Sequence, residues 1–134
     1  MSVAQRPPFS VDSLEAGTLD VDSFDHEAHV YLAWLFLEEF PLTEAIARFS
    51  SALQRLTATL GVPGRYHATI TWFFMLLIAE RREAAASNDW SSFCRDNADL
   101  FSADQNIIGR YYSEDLLASE RARGTFLLPD KLAA

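Results

Sequence analysis

The sequence is poor in cysteine, in glycine and proline, and in basic residues, and each shortage removes a class of protein. A single cysteine, Cys94, cannot make an internal disulfide, and no Cys-x-x-Cys pair is present to form a zinc or redox motif. With Trp90 and Phe93 beside it, Cys94 reads as a small core residue rather than a nucleophile. Only five glycines and five prolines interrupt 134 residues, and 49% of the chain is apolar, so the composition is that of one globular, helix-rich domain. Eleven Lys and Arg against nineteen Asp and Glu give a net charge of −8. A phosphate backbone requires a basic face, so nucleic acid is not an expected partner. The acidic excess is concentrated early, where Asp12, Glu15, Asp20, Asp22, Asp25, Glu27, Glu38 and Glu39 are opposed only by Arg6. It reads as a solvated surface.

No long hydrophobic run exists either. The longest, Ile70 to Ala79 with Thr71 inside it, falls well short of the roughly 20 residues that span a bilayer. No apolar stretch follows Arg6, which reads as the absence of a signal peptide. No membrane partner is expected, and the expected location is cytoplasmic. Phosphate loops, Gly-x-Ser-x-Gly elbows and dinucleotide fingerprints are also missing, so nucleotide-dependent and serine hydrolase chemistry have no support.

What remains is helical patterning. Residues 1–22 carry Pro7-Pro8 and no helical period, which predicts an extended or partly disordered arm, with Val11, Leu14 and Leu19 able to lie along the domain of residues 23–134. Ser23 is the expected N-cap of a first helix that Pro41 ends. One face of that helix carries His26, His29, Val30, Ala33, Phe36, Leu37 and Phe40. Thr43 is the expected N-cap of a second helix through Ile46, Phe49, Leu53, Leu56 and Leu60, with Gly61 as its C′ residue and Val62-Pro63-Gly64 as a turn. A third helix, about residues 66–86, is apolar on every side and is expected at the centre of the bundle. Ser87-Asn88-Asp89 should cap a shorter helix with Trp90 and Phe93. Beyond it, short helical turns are expected near 104–111 and over 114–122, followed by an extended segment, Thr125 to Leu128. No stretch alternates as a strand does, so the fold class is all-α, a compact bundle of four to five helices.

All three histidines open apolar helices. His26 and His29 stand three residues apart on one face, a spacing that brings two imidazoles to one ion, and His67 in the first turn of the third helix could supply a third ligand. Such a site would suit a divalent transition metal such as zinc. His-x-x-His is common by chance, however, and two other readings stand beside it. One is a metal-free pocket for a small-molecule ligand, using the same histidines. The other is a set of structural histidines that cap helices or bond carbonyls. Tyr66, Thr71, Arg110 and Tyr111 are further pocket candidates, because Arg65-Tyr66 and Arg110-Tyr111-Tyr112-Ser113 would hold a planar or anionic ligand if they met the histidines. Thr69 and Thr71 are expected to bond their own helix's carbonyls.

Three motifs in this order, Phe24-x-His26-x-x-His29-Val30, Tyr66-His67-x-Thr69-Ile70-Thr71 and Arg110-Tyr111-Tyr112-Ser113, resemble a family of short bacterial proteins of unknown function. The resemblance spans roughly residues 19 to 115. It implies a shared pocket around His26, His29 and His67, with no assigned reaction or substrate. Members of that family often have an acidic residue where this chain has Ala68. If that acid serves as a ligand or base, this chain lacks the activity or manages without it. The alternative to a pocket is a non-catalytic interaction module, a homodimer covering Trp34, Leu35, Trp72, Phe73 and Leu76.

Overall fold

Three long helices follow from three breaker-free, apolar stretches, and short ones fill the space around them. The computed structural model describes residues 9–86, 88–101 and 107–131. Among these residues there are seven α-helices, four 3-10 turns and no strand, so the protein is all-α. The helices are α1 (Val11–Ala16), α2 (His26–Glu39), α3 (Leu42–Thr59), α4 (Ala68–Ala84), α5 (Trp90–Asp96), α6 (Glu114–Leu117) and α7 (Glu120–Gly124). None of them is long and apolar enough to cross a membrane.

α2, α3 and α4 pack on one another around a core built from Leu32, Phe36, Ile46, Phe49, Leu53, Met75 and Ile78. α2 buries half of its residues against α1, α3 and α4. α4 divides its burial between two clusters. Met75 and Ile78 enter the main core, and Phe73 enters a second cluster with Ile108 and Tyr112. Between them Trp72 and Leu76 stay 37% exposed. Of the five apolar residues expected to form a dimer face, Trp34 and Phe73 are therefore unavailable, being buried in the monomer.

The first described residues differ from the expected arm. Val11–Ala16 is helical, and its Val11 and Leu14, with Leu19 beyond it, are buried. Ser10 and Ser13 bond each other's backbone in a capping box, and Gly17 closes the helix at φ 72°, a left-handed conformation that glycine adopts without strain. Arg48 then ties α1 to α3 by two hydrogen bonds to the Glu15 carboxylate, at 2.9 and 2.6 Å. The Pro7-Pro8 part of the expected arm lies outside the described residues.

Helix starts also move by a residue or two. Ser23 does not cap α2, because its hydroxyl donates to Asp20 at 2.7 Å and closes a 3-10 turn, so Asp25 takes the cap and accepts from the Ala28 N–H. Thr43 lies inside α3, which starts directly after Pro41 with no side-chain cap. Gly61 sits at φ 74°, as a C′ residue should. Asp89 caps α5, and its expected partner Ser87 lies outside the described residues. The expected helix near 104–111 is a 3-10 turn over Ile107–Arg110, with 102–106 outside the described residues. Serines 113 and 119 cap α6 and α7, and the chain then runs without helix through Leu128.

Candidate functional site

The first turns of α2 and α4 line one cleft, but the three imidazoles meet different environments. His67 is the N-cap of α4, and its Nδ1 accepts the Ile70 N–H at 3.1 Å. A nitrogen that accepts carries no proton, so Nε2 carries it and donates to the Leu117 carbonyl at 2.7 Å. Both nitrogens of His67 are thus committed to the fold. In the first turn of α2, His26 donates from Nε2 to the Leu100 carbonyl at 2.7 Å and sets its ring edge against Phe74. His29, one turn further, lies edge-on to Phe24 at 4.8 Å and tilted to Phe49 at 5.9 Å. Its ring nitrogens have no hydrogen-bond partner among the described residues.

This arrangement corrects the expectation of a three-histidine metal centre. His67 has no free lone pair, and the Nε2 atoms of His26 and His67 both point protons at carbonyls. Among the described residues, no group of three His, Cys, Asp or Glu side chains is placed to hold an ion.

What the histidines do share is a cleft. An outer space of about 470 Å³ is lined by His26, His29, Tyr66, His67 and Thr71, with Phe24, Leu53, Leu56 and Ile70 as apolar walls and Asp25 and Arg65 as its charged groups. An inner cavity of about 80 Å³ between α2, α3 and α4 is bounded by Val30, Ala33, Phe49, Phe74, Met75 and Ile78. His26, His29, Ile70 and Thr71 line both spaces. Ala33 contributes only a methyl group here and so leaves room beside His29. Phe49, Phe74 and Met75 carry no signal in the sequence that sets them apart from ordinary core residues.

Burial pushes His29 down to about 4, with His26 nearby adding to the effect. Near pH 7 its ring is therefore neutral, with one nitrogen donating and one accepting. A base this weak is poorly suited to take a proton. Thr71 stands beside it in the same wall. Its N–H bonds the His67 carbonyl, and its hydroxyl has no partner among the described residues, contrary to the expectation that it bonds its own helix.

Arg110 and Tyr111 are not part of this cleft. The Tyr111 ring packs on Phe73 at 5.0 Å, in the second cluster, and the exposed Arg110 ends the 3-10 turn before it. Their motif instead holds the C-terminal segment. The Tyr112 hydroxyl donates to the Leu127 carbonyl at 2.6 Å, the Ser113 hydroxyl donates to Asp130 at 2.6 Å, and the Tyr111 carbonyl accepts from the Lys131 N–H. Thr69 belongs to the same device rather than to its own helix's ladder. Its hydroxyl donates to the Thr125 carbonyl at 2.9 Å and accepts from the Leu127 N–H at 3.2 Å. Cys94 is a partly buried thiol pushed up to about 11 by burial, which removes it as a nucleophile.

No family model, curated protein or solved structure matches this chain. The resemblance to a bacterial family therefore stands on its three motifs alone.

Proposed function

We propose that this protein is a binding module for a small organic ligand, held in the cleft between α2, α3 and α4. The observation that carries this reading is a mismatch between chemistry and surroundings: His29 and Thr71, both half-buried, bring polar atoms with no partner among the described residues to a cleft whose inner wall is mostly apolar. Half-buried polar atoms with no partner within the chain are open to water or to a ligand. The combined space falls in the range of small-molecule pockets, which are mostly apolar with a few polar groups fixing orientation. His29 binds rather than catalyses here, since its neutral ring offers hydrogen bonds but little basicity. A cytoplasmic setting goes with this reading, because the single cysteine is a free thiol.

The test is a screen of small aromatic and aliphatic fragments by protein-observed NMR. Fragments should shift the amides of α2 near His29 and of α4 near Thr71, and Ala33→Phe, which fills the inner cavity, should abolish those shifts. Millimolar fragments that shift nothing, or that shift only residues away from the cleft, would contradict the proposal.

A second reading, a self-associating module, has narrower support. Trp72 and Leu76 are partly exposed on α4, Phe126 stacks on Trp72, and Leu128 is 77% exposed nearby in the chain. Light scattering of the wild type against Trp72→Glu distinguishes it, since only a dimer through this strip would dissociate.

A further inference from the structure

The cleft has three zones in a fixed order, and that order restricts what can occupy it. Innermost is a pouch with purely apolar side chains of its own: Val30, Ala33, Phe49, Phe74, Met75 and Ile78. Next comes a waist, the wall common to both spaces, where His29 and Thr71 offer hydrogen-bonding atoms with no partner among the described residues. Outermost is the wider space, and only there does the cleft have charged side chains, Asp25 and Arg65. Arg65 is exposed and has no ion pair among the described residues.

We propose that the ligand is an uncharged alcohol or carbonyl compound with an alkyl tail, the tail seated in the apolar pouch and the oxygen at the waist between His29 and Thr71. This deepens the binding-module reading and rests on it. A hydroxyl suits the waist because His29 offers one donor and one acceptor and the Thr71 hydroxyl can play either role. A carboxylate does not suit it. No lysine or arginine lies at that level, and moving an ionised group into an apolar enclosure without a counter-charge is strongly unfavourable. The neutral state of His29 is consistent with this, since a protonated ring would have made the waist an anion site. A purely hydrocarbon ligand would fill the pouch but leave the polar atoms unpartnered.

The experiment compares 1-hexanol with hexanoate at pH 7 by NMR titration, with xenon as an apolar probe of the pouch. Hexanol should bind at least about tenfold more tightly than hexanoate. Thr71→Val, which keeps the shape and removes the hydroxyl, should weaken hexanol about fivefold and leave xenon binding unchanged. His29→Leu should do the same, and agreement between the two variants separates a lost hydrogen bond from a packing disturbance in either. Equal binding of hexanol and hexanoate, or hexanol affinity that neither variant changes while xenon still binds, would overturn the ligand class and leave the pocket standing. Failure of both xenon and hexanol to bind would remove the pocket reading as well.

Discussion

Thr69 and Thr71 are two residues apart on α4, about 200° around the helix, and they lead to opposite ends of the argument. Thr69, with His67, Tyr112 and Ser113, belongs to a region where every polar side chain has found a partner within the chain. That region clamps the segment from Thr125 to Lys131 against α4 and α6. Thr71, with His29, belongs to a half-buried region of similar chemistry where the polar atoms have none among the described residues. The difference teaches that residue type does not mark a site. A histidine whose bonds are complete supports the fold, and one whose bonds are open is available to something else.

Substitutions on the two sides should therefore differ in sign as well as in size. The largest effect is expected at His67, where Ala removes the helix cap, the bond to Leu117 and a buried ring together. His67→Ala should destabilise by about 3 kcal/mol in urea unfolding. Asn, which can still cap, should recover about a third of that loss.

Next is the pH dependence of stability. His29 is held at about 4 in the folded protein, against an ordinary value of 6.5 in the unfolded chain. Between those values the unfolded state binds the extra proton, so stability is whole above pH 6.5 and falls as the pH drops to 4, by up to about 3 kcal/mol. The carboxylates held low by arginines, Glu15 by Arg48 and Asp99 by Arg81, add their losses as the pH falls through their ordinary values of 4.5 and 3.8 and below. His29→Leu should flatten the curve between pH 6.5 and 4 and leave the acid limb unchanged.

Tyr112→Phe removes one buried hydrogen bond to Leu127 and should destabilise by about 1 to 2 kcal/mol, with faster hydrogen exchange at the Leu127 amide. The smallest effect is expected at the waist. At pH 7, His29→Leu and Thr71→Val should each lie within about 0.5 kcal/mol of wild type or be slightly stabilising, because no hydrogen bond within the chain is lost. A loss of 2 kcal/mol at either position would erase the contrast between the regions.

The all-α class was legible because the helical period runs through residues 26–84 with no alternation to compete with it. That histidines open both α2 and α4 was legible too, while the meeting of the two helix starts was left as a condition. Smaller features were not. α1 escaped notice because its capping box uses Ser13 where a glutamate or glutamine gives the usual signal, and because it is only six residues long. Ser23 was a plausible cap that Asp20 drew away through a bond visible only in three dimensions. The Arg110-Tyr111-Tyr112-Ser113 motif looked like a ligand site because aromatic and polar residues cluster in it. Its partners are Phe73 and residues 127–131, and no spacing rule connects those to it. For the histidines, their place at helix starts was legible and three roles were left open. The hydrogen bonds of His67 settle its own role, and those missing at His29 define the candidate site.

The most direct measurement is the long-range ¹H–¹⁵N spectrum of the three imidazoles at pH 7, with and without 1-hexanol. The account expects His67 to show the Nε2–H tautomer in both spectra, unmoved by the alcohol, while the His29 nitrogens shift on its addition. A His29 signal fixed in one tautomer and indifferent to hexanol would contradict it, because His29 would then be as fully occupied within the chain as His67.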